Sequence, residues 1–156
     1  MRIWRISNHT DLGGLGGLRA GGRWHHRGQP VVYCTENPAA ALLEVLVHLE
    51  FGDLPDAYQL LEIEVGDSIS RIPLDLASLP ADWRRQLVST QSAGSRWLAD
   101  RTTALLLVPN AIVPQTSNFL VNPVHPDAGL LRIVTTARYP FDDRLFKPIS
   151  NTCRVV

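Results

Sequence analysis

Apolar and polar positions alternate in short runs along most of the chain, and these runs predict a sheet with a few helices set around it. Met1–Ser7 (MRIWRIS) interleaves Ile and Trp with Arg and reads as a strand, and Val31–Thr35 (VVYCT) is a second. Ala57–Val65 (AYQLLEIEV) places Glu62 and Glu64 on one face and Ile63 and Val65 on the other, the period-two signature of a half-buried strand. Ile69–Leu74 continues as strand or sheet edge, limited by Pro73. The unbroken apolar run Ala104–Val108 (ALLLV) predicts a buried strand. Asn118–Val121 and Leu130–Thr136 are further strands, joined by a loop holding Asn122-Pro123 and His125-Pro126. The clearest helix starts at Asn37 as N-cap with Pro38 in its first position, runs through an apolar body from Ala39 to Leu49, and stops at Gly52, Asp53 and Pro55. Pro80–Val88 predicts a short helix and Ser89–Asp100 another, carrying Trp97 and Leu98. Gly13–Gly28 holds seven of the eleven glycines, and that density argues against a stable helix there. Six or seven short strands with two to four helices, and no repeats or linkers, predict one α+β (mixed α/β) domain over residues 1–146 with an irregular tail at 147–156.

Composition narrows the function more than the fold. The 156 residues suffice for a core without disulfides or metal. Fifteen basic and fifteen acidic side chains cancel, and a nonspecific nucleic-acid binder needs the opposite, a net positive charge to neutralise phosphates. Fourteen of the fifteen basic residues are Arg, and Lys147 is the only lysine. Codon bias accounts for such an excess, as does retention of Arg for bidentate work on carboxylate or phosphate. Two cysteines, Cys34 and Cys153, with Cys34 inside an apolar strand, fit a reduced cytoplasmic protein. The chain opens on no cationic-then-apolar leader and holds no apolar run near the ~20 residues of a membrane span, so a soluble protein without membrane contact is expected.

Three features hold candidate chemistry. Gly21-Gly22-Arg23-Trp24 ends the glycine-rich stretch. It is either a flexible loop with a surface Arg or a close backbone approach in which Arg23 forks onto a phosphate. It matches neither the dinucleotide fingerprint nor a Walker A loop. Glu44 has Ala40, Ala41, Val47 and His48 as its helical neighbours, and a carboxylate among apolar side chains needs a partner or a task. A structural ion pair with an Arg and a catalytic role both satisfy that need. Tyr33 is either a core aromatic or a ring that stacks on a planar heterocycle with its hydroxyl left for a polar contact. The five histidines show no metal-binding spacing and no serine sits in a GxSxG elbow, so neither a metal site nor a hydrolase triad is expected.

Taken together, an early W-R-I, then G-G-R-W, V-Y, a helix with L-E-V, and a V-P segment leading into N-P resemble the RES-domain toxins over about residues 1–146. The Arg23–Tyr33 and Tyr33–Glu44 spacings agree with that family. The resemblance implies an ADP-ribosyltransferase-like fold of twisted sheets with flanking helices. It implies depletion of cellular NAD as substrate, with no prosthetic group or metal, by a glycohydrolase or phosphorylase reaction that arrests growth. ADP-ribosylation of a protein target, and a catalytically weakened module that only binds its antitoxin, are the alternatives. A ribonuclease is disfavoured by zero net charge and the lack of a His/Lys pair. By the same resemblance, Glu44 is the catalytic carboxylate, Arg5 and Arg23 hold the phosphates or ribose, and Tyr33 stacks on nicotinamide. His48 supports Glu44 or the ribose, and Asn122 helps line the pocket. Where the family's serine is expected this chain reads Val108-Pro109-Asn110-Ala111, and the Asn110 amide or the Ser117 hydroxyl takes its place. The implied partner is an Xre-type helix-turn-helix antitoxin that occludes the cleft.

Overall fold

The structure, a computed structural model, describes residues 1–49 and 55–146. The expected helix stop at Gly52 and Asp53, and the tail at 147–156 with Lys147 and Cys153, lie outside the described residues. Among the described residues seven strands form, each overlapping a predicted one: β1 (Arg2–Ile6), β2 (Val32–Thr35), β3 (Ala57–Glu64), β4 (Arg71–Pro73), β5 (Leu105–Pro109), β6 (Ser117–Val121) and β7 (Arg132–Pro140). They make one sheet in the order β4-β5-β6-β2-β1-β3-β7, antiparallel except for the β4–β5 pair. The architecture is α+β, with three α-helices: α1 (Leu15–Arg19), α2 (Pro38–Leu46) and α3 (Leu87–Asp100).

The sheet is nearly two sheets. β1 pairs with β3 over five positions, but with β2 at only one, Trp4↔Thr35. On one side β1, β3 and β7 continue, and on the other β2, β6, β5 and β4. Two apolar clusters cover the faces. One gathers Ile3, Val32, Cys34, Ile63, Phe119 and Val121; the other gathers Trp24, Trp83, Trp97, Leu106, Val108 and Leu120. On β6 the odd positions enter the first cluster and Leu120 the second, as strand alternation requires.

The Asn37 side chain accepts a hydrogen bond from the Ala40 N–H at 2.8 Å, so α2 begins where its cap signal predicts. Three expectations need correction. A single helical turn, α1, does form within the glycine-rich stretch, because tertiary contacts hold what propensity alone does not. Gly14 enters it at a positive φ of 68°, and Gly17 packs so closely on the Gln29 carbonyl and Val31 that a Cβ there would overlap them. Pro80–Val88 is not one helix: a 3-10 turn at Trp83–Arg85 ends at Gln86, whose φ of −107° and ψ of 78° are not helical, and α3 starts afresh at Leu87. The predicted strand Leu130–Thr136 begins later and runs on to Pro140, because β3 pairs with β7 along its whole length.

Candidate active site

A cleft of about 730 Å³ opens where β1 and β2 part. Trp4, Arg5 and Ile6 of β1 line it, as do Tyr33 and Thr35 of β2, the Gly21–Trp24 loop, and the Glu44 face of α2. Because α2 packs across both strands, its one carboxylate is carried to the seam between the two halves of the sheet.

Glu44 is fixed by amides. Its Oε1 accepts from Asn118 Nδ2 at 2.7 Å and from Asn110 Nδ2 at 2.9 Å. The Asn110 Nδ2 also donates to Asn118 Oδ1 at 3.0 Å, and Asn110 Oδ1 accepts the Ile112 and Val113 N–H groups, both at 2.8 Å. Every hydrogen-bonding direction of Asn110 is thereby used and the side chain is fully buried. Among the described residues no donor reaches Glu44 Oε2, so the carboxylate is clamped by one oxygen and offers the other to the cleft.

Arg5 supplies the cation. Its Nε is buried without a partner, and its Nη2 meets only the Ser7 hydroxyl at a long 3.5 Å. A half-buried guanidinium in a cleft wall with unused donors is suited to an anion. Arg23 also lines the cleft, but its Nη1 donates to the Arg84 carbonyl oxygen at 3.0 Å, so it stands at the mouth beside the Trp83–Arg85 turn. There Arg84 lies over the Trp83 ring, 4.5 Å from its centroid.

Tyr33 turns its ring along the cleft wall, while its hydroxyl is held within the protein. The oxygen accepts the Trp24 N–H at 3.1 Å and lies 2.8 Å from His25 Nδ1. Burial raises the phenol's pKa above its ordinary value, with the Glu44 charge adding to the effect. Beside it Cys34 also borders the cleft, and burial pushes its thiol up to about 12, opposed by the nearby Arg5 charge.

The structure thus brings Arg5, Arg23, Tyr33, Glu44 and His48 to one cleft and sets Asn110 directly behind Glu44. His48 is exposed at the rim, and the two asparagines, not the histidine, hold Glu44. Two expected residues fall elsewhere. Ser117 neighbours Asn118 on β6 and so points to the opposite face of the sheet, and it is absent from the cleft wall. Asn122 lies on the same face as Asn118, but four residues on, about 13 Å along the strand direction. It borders a separate recess of about 180 Å³ near Gln29 and Leu98, where Nδ2 donates to the Leu98 carbonyl oxygen and Oδ1 accepts the Val124 N–H. Sequence reasoning missed Asn118 and His25. The signal for Asn118 is the even-numbered run Leu106, Val108, Asn110 facing Leu120 and Asn118 across the β5–β6 pairing, which puts the two amides side by side. No group of three or more His, Cys, Asp or Glu side chains among the described residues is placed to hold a metal. Among those residues no helix is long and apolar enough to cross a membrane.

The site is a clamped carboxylate and a guanidinium with unused donors, set at the seam of a divided sheet in an α+β protein. Comparison with known proteins makes the class specific. A family model for the RES domain matches residues 2–142. A toxin named Res from Pseudomonas putida is 47% identical over 148 residues, covering 94% of this chain and all of that one. A toxin described as ADP-ribosylating, from Sphingobium, is 38% identical over 93% of this chain and 96% of its own. Among solved structures, the M. tuberculosis MbcT–MbcA toxin–antitoxin complex contains a chain that superposes with a TM-score of 0.72 at 22% identity, covering 89% of this chain and 84% of that chain, which shows a shared fold. The protein belongs to the RES-domain family of toxins.

Proposed function

We propose that this toxin cleaves the nicotinamide–ribose bond of NAD in the cytoplasm and so depletes the cell of it. The observation that carries the reading is Glu44, clamped through Oε1 with Oε2 turned to a cleft that also holds Arg5, whose Nε has no partner among the described residues. Loss of nicotinamide leaves positive charge on the ribose, and a fixed carboxylate beside that centre lowers the barrier because it need not reorganise as charge develops. Arg5 and Arg23 neutralise the pyrophosphate, and the Tyr33 ring gives nicotinamide a flat platform. His48, at the rim, contacts the ribose end. Water or phosphate accepts the ADP-ribose. The ADP-ribosylating relative supports a second reading in which a protein side chain is the acceptor.

A protein with this activity has to be silenced in the cell that makes it, and the toxin–antitoxin complex formed by its structural neighbour supports an antitoxin partner. We take that partner to be a helix-turn-helix protein of Xre type seated over the cleft. The test is incubation with NAD, with and without phosphate, reading nicotinamide by chromatography. The wild type releases it, and Glu44→Gln lowers the rate by about 10³-fold or more with an unchanged circular dichroism spectrum. Folded wild type that releases none in either buffer, or Glu44→Gln that turns over normally, defeats the proposal.

A further inference from the structure

The reading above leaves His25 without a task, although it is almost wholly buried beside the cleft. Its two ring nitrogens have distinct partners. Nδ1 shares the Gly22 N–H with the His25 backbone carbonyl oxygen, each at 3.1 Å, and lies 2.8 Å from the Tyr33 hydroxyl, and Nε2 lies 3.1 Å from the Ala20 carbonyl oxygen. A carbonyl only accepts and an amide only donates, so the partners assign the neutral tautomer with its proton on Nε2. The tyrosine hydroxyl then donates to Nδ1 while its oxygen takes the Trp24 N–H.

The glycines fit around this ring. A Cβ on Gly17 would come within 3.0 Å of His25 Nε2, and one on Gly22 within 2.7 Å of the Tyr33 oxygen and 3.1 Å of His25 Nδ1. The loop is therefore tied through one imidazole to the strand that carries the tyrosine.

We propose that His25 is a positioning residue: its unprotonated Nδ1 locks the Tyr33 hydroxyl and the Gly22 amide together, so that Tyr33 offers substrate only its ring and the loop holds Arg23 at the cleft mouth. The role in turnover rests on the NAD reading; the lock itself does not. Protonating Nδ1 turns the shared acceptor into a donor facing Gly22 N–H, and the lock opens. Burial lowers the His25 pKa from the ordinary 6.5, with neighbouring His26 adding to the effect against backbone bonds from Ala20 and Gly17. The charged or titratable groups facing it are His26 of its own loop, Tyr33 of β2 and, beyond the tyrosine, Glu44 and Arg23; Gln91 of α3, bonded to the Gly22 carbonyl, adds no charge. Because the folded form favours neutral His25, the lock is complete above pH 6.5 and is lost as the pH falls toward the lowered folded value.

The test pairs two variants of the full chain. His25→Asn puts a non-titrating carbonyl near the Nδ1 position, and His25→Gln reaches the Ala20 carbonyl but lacks the shared acceptor. Amide exchange at pH 7.5 should keep Trp24 protected in wild type and His25→Asn, and rise about tenfold at Trp24 in His25→Gln, while Gly22 keeps its backbone bond to the residue-25 carbonyl. The KM for NAD should rise about tenfold in His25→Gln, with kcat changed by less than about threefold. Between pH 7.5 and 5 the Trp24 amide should loosen in wild type and not in His25→Asn. If His25→Gln does not fold, Tyr33→Phe replaces it and should unprotect Trp24. Equal exchange in all variants, or nitrogen-15 shifts showing a protonated Nδ1 at pH 7.5, overturns the lock and leaves the NAD reading standing. Absent nicotinamide release defeats the NAD reading alone, because exchange and nitrogen shifts need no substrate.

Discussion

Asn118 and Asn122 sit on the same face of one strand direction with Leu120 between them, and both are buried. At the cleft end, Asn118 joins Asn110 and donates its amide to a carboxylate that solvent and ligand can reach. At the other end, Asn122 donates to the Leu98 carbonyl in the last turn of α3 and accepts the Val124 N–H, tying two backbone groups together. The first amide organises a charge and the second closes a turn. Residue type and burial are the same at both ends, so the identity of the partner alone separates a functional amide from a structural one.

The sharpest way to break this contrast is Asn118→Asp. It replaces a donor 2.7 Å from Glu44 with a second carboxylate, so the pair shares a proton and the one negative charge is no longer fixed on Glu44. Nicotinamide release should fall by about 10²–10³-fold. An Asp variant with wild-type turnover would mean the clamp is ornamental. Asn122→Ala should do the reverse, lowering stability by about 1–3 kcal/mol in a denaturant titration with unchanged turnover per folded molecule. A catalytic defect at full stability would return Asn122 to the site. The smallest effect is expected at Cys34, which lies on β2 opposite Phe119, the neighbour of Asn118. Burial pushes its thiol up to about 12, so the reactive thiolate is scarce at pH 8. Peptide mapping after iodoacetamide at pH 8 should find Cys34 unmodified until denaturant is added. Rapid labelling of the native protein would show a floor far more open than described.

The strands and the start of α2 were legible because each is decided locally, by alternation or by a cap three residues away from its partner. Glu44 was legible for a related reason: an acid among Ala40, Ala41 and Val47 is out of place on its own helix. What holds Glu44 was not. Asn118 lies 74 residues further along the chain, and a five-residue strand does not announce which of its faces will meet a helix. His25 was hidden in the same way, since its value lies in three partners brought to it by a loop whose path depends on α1, an element that propensity argues against. The family resemblance implies Asn122 at the pocket, and its place four residues beyond Asn118 sets it in a separate recess instead.

The close contacts at Gly14, Gly17, Gly22 and Gly94 have a genetic side. At each, even a methyl group would press on neighbouring atoms, the Trp24 carbonyl in the case of Gly94. Any change in the first two bases of a glycine codon replaces the residue. On the proposed activity, a gene whose product drains NAD from its own host is inactivated whenever expression escapes control, and survivors are drawn from the positions that tolerate least. Those four codons form a compact target for spontaneous loss of toxicity, and sequencing survivors would chart the tightness of this loop base by base.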